Sequence, residues 1–169
     1  MNGYLLDTCV ISSLLNPLKA NHGRVREAID CLAESDIFYI SVITLAELQF
    51  GIELGILQGH KEIKSLNSII NQAQRRPILE VTRHTAKEYG LIKALVASKY
   101  LEKALRKEGR PRWPEEWIDK ASGKKLQIDE NDLWLTAQAC DRNLTLLTNE
   151  SHLDRIQVVV PTKLKIFKI

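Results

Sequence analysis

The stretch Tyr4–Ser12, near the N-terminus, constrains the fold more than any other part of the chain. Its apolar run stops at Asp7 and passes into Thr8, after which apolar residues recur at helical spacing. This pattern predicts a buried strand with an acid at its carboxyl end, followed directly by a helix. Ligands of open α/β sheets bind beyond the carboxyl ends of the strands, so Asp7 occupies a site position. The alternative is that Asp7 only caps the helix.

Strand-like and helix-like segments alternate along the rest of the chain. Residues 37–43 form a β-branched and aromatic run typical of a strand covered on both faces, and residues 44–57 continue from it with helical spacing. Such alternation predicts an α/β fold with a mostly parallel central sheet and helices on both faces, a three-layer α/β/α architecture. We predict further strands at 78–81, 144–148, 158–160 and 166–167, and helices at 11–15, 24–34, 60–74, 85–107 and 133–140.

The composition indicates one compact domain covering residues 1–169. A chain of 169 residues with 44% hydrophobic and 27% charged residues can bury a sizeable core. Its three cysteines lack metal-ligand spacing, which suggests small buried thiols in a reducing compartment. No apolar run is long enough to span a bilayer and no secretory leader is recognisable, so we expect a soluble, cytoplasmic protein without membrane contact.

Positive charge is concentrated in residues 99–126, which we call the excursion because this segment departs from the strand–helix alternation. Between Lys99 and Lys125 there are nine Lys or Arg and five Asp or Glu residues, a balance of +4 against +3 for the whole chain. A proline-first, glycine-last pattern predicts a short extra helix within it. Interleaved cations and aromatic rings suit phosphate contact and base stacking. We expect Trp113 and Trp117 to anchor the excursion, and these basic residues to contact RNA: Arg106, Lys107, Arg110 and Arg112.

Four acidic residues follow predicted strands or begin predicted helices, positions that converge in an α/β sheet. Their oxygen-rich cluster suits a hard cation, Mg²⁺ or Mn²⁺. Without a metal the carboxylates would repel one another and raise one another's pKa values. A bound cation offsets the repulsion, and one that keeps water ligands can activate a water for attack on a phosphodiester. The four candidates are Asp7, Glu47, Asp132 and Glu150.

Each of these acids also has a purely structural explanation. Thr44 and Glu47 match a capping box, in which Glu47 only closes a helix N-terminus. Asp129 and Asp132 resemble a helix-start pattern too, in which each is a cap or a partner of the helix dipole. Glu150 fits an ordinary turn. The four histidines show no paired spacing such as i, i+4, which favours surface or supporting positions over metal ligation.

The candidate residues lie in four short motifs. These are Leu5-Leu6-Asp7-Thr8 with Ser12, Ser41-Val42-Ile43-Thr44-Leu45-Ala46-Glu47-Leu48 with Gly51, Asn131-Asp132-Leu133-Trp134-Leu135-Thr136-Ala137 with Ala139, and Leu146-Leu147-Thr148-Asn149. In this order they resemble the successive motifs of PIN-domain proteins, and most closely those of the VapC-like ribonuclease toxins of bacterial toxin–antitoxin pairs. The resemblance spans nearly the whole chain.

The resemblance implies a PIN-like fold in which the acids matching Asp7, Glu47 and Asp132 bind divalent metal and carry RNA cleavage. A fourth acid or an Asn is usual soon after the Thr of the last motif, where this chain offers Asn149 and Glu150. The excursion departs from compact members of the family, and this bears on substrate choice and antitoxin docking. Residues implied as supports of the site are Thr8, Ser12, Asp129 and Thr148.

We therefore expect a divalent-metal-dependent endoribonuclease that hydrolyses RNA phosphodiester bonds, the toxin of a toxin–antitoxin pair. The expected partners are RNA, a small antitoxin that offers an Arg or Lys to the acidic site, and a second copy of the chain in a homodimer. A catalytically silent RNA-binding or antitoxin-binding module would use the same fold and is the alternative. A haloacid-dehalogenase-like phosphatase is disfavoured, because Cys9 stands where its second Asp belongs. No Walker loop, dinucleotide fingerprint or zinc motif is present.

Overall fold

The computed structural model describes residues 2–59, 63–102 and 112–169. Strands and helices alternate through most of this part of the chain. The strands are Gly3–Leu6 (β1), Ile37–Ser41 (β2), Ile78–Leu79 (β3), Thr145–Thr148 (β4) and Lys165–Lys168 (β5). The helices are Thr8–Leu15 (α1), His22–Asp30 (α2), Val42–Leu57 (α3), Ile63–Ala73 (α4), Arg83–Tyr100 (α5), Glu130–Asp141 (α6) and Asp154–Gln157 (α7), with 3₁₀ turns at Pro114–Glu116 and Ser151–Leu153.

In the described residues the strands form one sheet in the order β3-β2-β1-β4-β5. The pairs β1–β2, β1–β4 and β2–β3 are parallel, and Leu6 is in register with Ile40 of β2 and Leu147 of β4. Parallel strands carry their carboxyl ends to the same edge, so the residues that follow β1, β2 and β4 meet there. The α/β class with a mostly parallel central sheet is confirmed.

Contact density divides the described chain into two compact units. The first comprises residues 1–80, 144–149 and 166–169, and the second comprises residues 81–143 and 150–165. The expectation of one domain over residues 1–169 stays a prediction. The candidate acids fall in both units, Asp7 and Glu47 in the first and Asp132 and Glu150 in the second.

The core of the first unit surrounds the central strand β1. Leu6 of β1, Ile40 of β2 and Leu147 of β4 are fully buried, and Val10 and Ile11 of α1 pack with them. Burying each such aliphatic side chain stabilises the fold by about 1.5–3 kcal/mol before entropy is counted. Strand β1, which ends just before Asp7, is therefore one of the most tightly packed segments of the first unit.

The second unit is built on the packing of α5 against α6. Ile92 and Val96 of α5 and Leu133 of α6 are fully buried, spaced at the helical period that amphipathic helices require. Within the excursion, Ile118 and Lys125 form an antiparallel bridge, and the Lys120 N–H donates to the Tyr100 carbonyl at the end of α5 at 2.8 Å. The extra helix predicted there is the single 3₁₀ turn Pro114–Glu116.

Several predicted boundaries were wrong, and the structure gives a physical reason for two of them. Strand β2 ends at Ser41, not at residue 43, because the Ser41 hydroxyl accepts the Ile43 N–H at 2.9 Å and caps α3. Helix α5 ends at Tyr100, not at residue 107, because Leu101 has an extended backbone and a buried side chain. Residues 158–160, predicted as a strand, lie in the turn after α7. Among the described helices, none combines the length and apolarity that crossing a bilayer requires.

Candidate functional site

Asp7 follows β1 directly and is only 5% exposed. Its Oδ1 accepts the Thr8 N–H at 2.6 Å, and its Oδ2 accepts the Thr148 hydroxyl at 2.6 Å and the Cys9 thiol at 3.2 Å. The cap interpretation is thus confirmed, since Asp7 is the N-cap of α1. Its second oxygen, however, is turned to the end of β4. Asp7 therefore caps a helix and also presents a buried, well-oriented carboxylate at the carboxyl edge of the sheet.

Glu47 lies in the second turn of α3 and is linked to α1 by a hydroxyl. Thr8 Oγ1 donates a short hydrogen bond to Glu47 Oε2 and lies 3.2 Å from the buried Thr44 hydroxyl. The capping-box interpretation of Thr44 and Glu47 was wrong, because the N-cap of α3 is Ser41. Thr8 instead joins the two acids, because its backbone N–H donates to Asp7 and its hydroxyl donates to Glu47.

Two further residues of the first unit were predicted to support the site. Ser12 lies one helical turn after Thr8, on the same side of α1. Asn149 follows Thr148, and its Oδ1 is buried without a hydrogen-bond donor among the described residues. A buried acceptor left in this state costs about 1–3 kcal/mol, so it is normally matched by a ligand, a water or an ion.

Burial also acts on the thiol beside Asp7. It raises the pKa of Cys9, and the neighbouring Asp7 carboxylate raises this pKa further, whereas the Asn149 N–H lowers it. Cys9 is consequently a neutral donor at physiological pH. No nucleophilic role follows from its position.

In the second unit, Asp132 and Asp129 hold the start of α6 by a reciprocal capping box. Asp129 Oδ1 accepts the Asp132 N–H at 2.8 Å, and Asp132 Oδ2 accepts the Asp129 N–H at 2.9 Å. Asp132 is 8% exposed. The cap interpretation is therefore confirmed for both residues. A capping role fixes the Asp132 side chain at the helix N-terminus, where a carboxylate is favoured.

Sequence reasoning missed His152 as the partner of Asp132. Its Nε2 lies 2.9 Å from Asp132 Oδ2, and its Nδ1 lies 3.5 Å from Glu150 Oε2. The hydrogen bond to Asp132 raises the pKa of His152 against the opposing effect of burial, and the charges of Asp132, Glu150 and Asp129 raise it further. When protonated, this imidazole offsets part of the negative charge of Asp132 and Glu150. The usable signal was its position two residues after Glu150, in the segment that follows the last motif.

Sequence reasoning also missed a group of α5 side chains that contacts the first turns of α6. Lys93 Nζ contacts Glu130 Oε2 at 2.8 Å, and the Tyr89 hydroxyl hydrogen-bonds both residues. The Tyr89 ring stacks on Trp134 with centroids 3.9 Å apart and planes 10° apart. The i, i+4 spacing of Tyr89 and Lys93 was the signal available in the sequence. The group orients the turn that carries Asp132.

The candidate acids thus form two sets, and contacts to neighbouring residues hold the side chains of each set in place. Asp7 and Glu47 form the set in the first unit, and Asp132 and Glu150 form the set in the second. Within the described ranges, no three His, Cys, Asp or Glu side chains are grouped as a metal site requires. The convergence of all four acids on one cation stays a prediction. The donor chemistry nevertheless suits a hard cation, because carboxylate oxygens and the unmatched Asn149 Oδ1 are the ligands that Mg²⁺ and Mn²⁺ prefer.

Three of the four RNA-contact candidates, Arg106, Lys107 and Arg110, lie outside the described residues. The fourth, Arg112, is exposed and lies over the Trp113 ring, with its Cζ 4.8 Å from the ring centroid. Trp117 is fully buried, as expected of an anchor, but Trp113 is 47% exposed. The expectation that both tryptophans anchor the excursion is therefore confirmed for Trp117 and wrong for Trp113.

The chain matches a family model described as PIN domain over residues 4–159. Among solved structures, it is similar to VapBC2 from Rickettsia felis, bound to a DNA fragment from its promoter, with a TM-score of 0.64 and 22% identity over 98% of each chain. VapBC-5 from Mycobacterium tuberculosis, of the VapBC family of toxin–antitoxin systems, gives a TM-score of 0.61 and 17% identity over 100% of each chain.

A third similar structure is FitAcB from Neisseria gonorrhoeae, with a TM-score of 0.61 and 24% identity over 98% of this chain and 96% of that one. None of the curated proteins matches this chain significantly. At such identities the structural likeness shows the fold alone, and function must be argued from the site.

Proposed function

Because the chain belongs to the PIN-domain family, whose model matches residues 4–159, we propose that it is a divalent-metal-dependent endoribonuclease and the toxin of a toxin–antitoxin pair. The observation that carries this proposal is the buried Asp7 carboxylate at the carboxyl end of the central strand, joined through Thr8 to Glu47. A nuclease function agrees with the toxin–antitoxin systems named among the similar structures. We expect the protein to act on its RNA substrate in the cytoplasm.

We assign metal binding to Asp7, Glu47 and Asp132, with Glu150 as the fourth catalytic acid and Asn149 Oδ1 as a further oxygen donor. When bound, Mg²⁺ or Mn²⁺ would lower the pKa of a water and stabilise the charge that develops on the phosphodiester. The protein's own contribution is orientation. Hydroxyl groups hold the first two acids, and the capping box with His152 holds Asp132.

The key experiment replaces Asp7 with Asn, which nearly preserves the shape and removes the charge. Asp7→Asn should abolish Mg²⁺-dependent cleavage of single-stranded RNA and weaken Mn²⁺ binding measured by calorimetry. In EDTA the variant should still unfold cooperatively, with a free energy of unfolding lowered by about 1–3 kcal/mol, because an amide NH2 replaces one of the two carboxylate oxygens that accept hydrogen bonds. Asp30→Asn, on the exposed face of α2, is the control for a charge change elsewhere.

Full cleavage by Asp7→Asn in excess Mg²⁺ would remove Asp7 from the catalytic set. RNA binding without metal-dependent turnover in the wild type would instead identify the catalytically silent module. Loss of fold in Asp7→Asn would be seen in the EDTA melting curve. The three outcomes are therefore separable.

We further propose a small antitoxin whose Arg or Lys enters the acidic site. A cationic side chain there would form charge-assisted hydrogen bonds to Asp7 or Asp132 and stand in for the charge of the metal. Co-expression with the adjacent gene product, followed by a pull-down, tests this proposal, and recovery of the free chain alone would count against it. A homodimer stays a prediction, to be checked by light scattering.

A further inference from the structure

The two tryptophans of the excursion differ in environment although only three residues separate them. Trp117 is fully buried, whereas Trp113 leaves 47% of its surface to solvent. The exposed half of the Trp113 side chain forgoes the stabilisation that burial would provide. Packing of the excursion explains why a tryptophan is found at position 117, where it is buried. The same packing gives no reason for a tryptophan at the half-exposed position 113.

The backbone that carries Trp113 is nevertheless firmly held. Its carbonyl accepts the Glu116 N–H at 3.1 Å, and the next residue, Pro114, is buried at the start of the 3₁₀ turn. Glu115 Oε1 accepts the Glu130 N–H at 3.2 Å, which ties this turn to the first turn of α6. Glu130 precedes Asp132 by two residues. Trp113 is therefore presented from a fixed turn beside the helix start that carries a proposed catalytic acid.

Arg112 adds a positive charge to the exposed indole, with its guanidinium over the Trp113 ring at 4.8 Å. An aromatic face paired with a cation is the combination on which single-stranded RNA binds, because bases stack on the ring and phosphates are neutralised by the charge. We propose that Arg112 and Trp113 bind a nucleotide of the RNA substrate flanking the cleaved bond, with Trp113 stacking on its base. This inference rests on the proposed ribonuclease function and names a substrate contact for it.

The test measures binding of a fluorescently labelled single-stranded oligoribonucleotide in the Asp7→Asn background, so that the RNA is not cut. Trp113→Ala should weaken binding about 5- to 150-fold, the range for loss of one stacked base. Trp113→Phe should recover most of the affinity, whereas Trp113→Leu, which keeps apolar bulk without a π face, should not. Ile118→Ala, 49% exposed in the same excursion, is the matched control and should bind as the parent does.

Salt dependence separates stacking from charge. Trp113→Ala should leave the slope of log K against log salt unchanged, because a stacked ring releases no counterions. Arg112→Gln should flatten that slope by up to about 0.7, the value for one single-strand phosphate contact. An oligomer with an abasic site at the stacked position should bind wild-type and Trp113→Ala proteins equally.

Equal binding by the parent, Trp113→Ala and Trp113→Leu would overturn the proposal. Full affinity of Trp113→Leu with loss only in Trp113→Ala would mean an apolar contact, which also overturns it. If Trp113→Ala failed to pull down the antitoxin but bound RNA as the parent does, the ring would belong to a contact with a protein partner, and the proposal would be overturned. If the wild type binds the oligomer in a Trp113-dependent way and never cleaves it, the proposed nuclease function fails while the stacking site stands.

Discussion

The two sets of candidate acids differ in the kinds of group that contact them. The hydrogen bonds to Asp7 and Glu47 include those from a backbone N–H, a thiol and threonine hydroxyls, which are neutral donors. Around Asp132 the partners include His152, and the neighbouring Glu130 is paired with Lys93. Neutral donors fix geometry without cancelling charge, whereas ionic partners do both. We therefore expect added salt to weaken the contacts of the second set more than those of the first.

The largest expected effect tests whether both sets belong to one site. Glu47→Gln and Asp132→Asn should each lower Mg²⁺-dependent RNA cleavage about 1,000-fold or more, because metal catalysis supplies several kcal/mol of transition-state stabilisation. Glu53→Gln, two turns along α3 and exposed, should cleave at the wild-type rate. Single-turnover rates at saturating RNA are the measurement. A normal rate in Asp132→Asn would leave the second set outside the chemistry.

The next effect concerns the hydroxyl that holds Asp7. Thr148→Val keeps the shape of a fully buried side chain but removes the donor to Asp7 Oδ2, so the free energy of unfolding should fall by about 1–3 kcal/mol. Thr145→Val, at the other end of β4, is the matched control and should change it little. Urea unfolding in EDTA measures both. A loss that persists at 1 M salt would agree with a neutral, buried donor.

A smaller effect is expected at the ion pair of the second unit. Lys93 and Glu130 keep 21% and 23% of their side-chain surface exposed, so Lys93→Met should cost less than about 1 kcal/mol. That loss should shrink as salt is added, unlike the loss in Thr148→Val. Lys87→Met, exposed on α5, is the control. If added salt changed the stability losses of Lys93→Met and Thr148→Val equally, the proposed difference between the two sets would be wrong.

The smallest effect is on thiol reactivity. Burial raises the pKa of Cys140 to about 11, with a further increase from Glu88, and Cys31 is exposed. A raised pKa lowers the thiolate fraction below that pH, so iodoacetamide at pH 7 should label Cys31 first. Labelling of Cys140 should rise about tenfold per pH unit until pH approaches 11. Peptide mass spectrometry distinguishes the sites, and rapid labelling of Cys140 at pH 7 would show that the second unit opens.

Much of the fold could be read from local patterns. The strand that stops at Asp7, the parallel sheet and the order of the four motifs were all predicted, and the family resemblance is confirmed. Helix starts were harder, because Ser41 and Thr44 are both good caps and only the observed hydrogen bond to Ile43 selects Ser41. The end of α5 was missed for a related reason, since a continuing helical pattern does not reveal that Leu101 is needed in the core.

The sequence by itself determined which acids stand at strand ends and helix starts, because hydrophobic period and capping chemistry act between residues close in the chain. Only the tertiary structure decided which distant side chains hold them. Thr8 reaches Glu47 across 39 positions, and His152 reaches Asp132 across 20. It also decided that Trp117 is buried and Trp113 exposed, since two tryptophans of one segment have the same local propensity. Burial depends on what packs around a residue, and that is set by contacts no local pattern records.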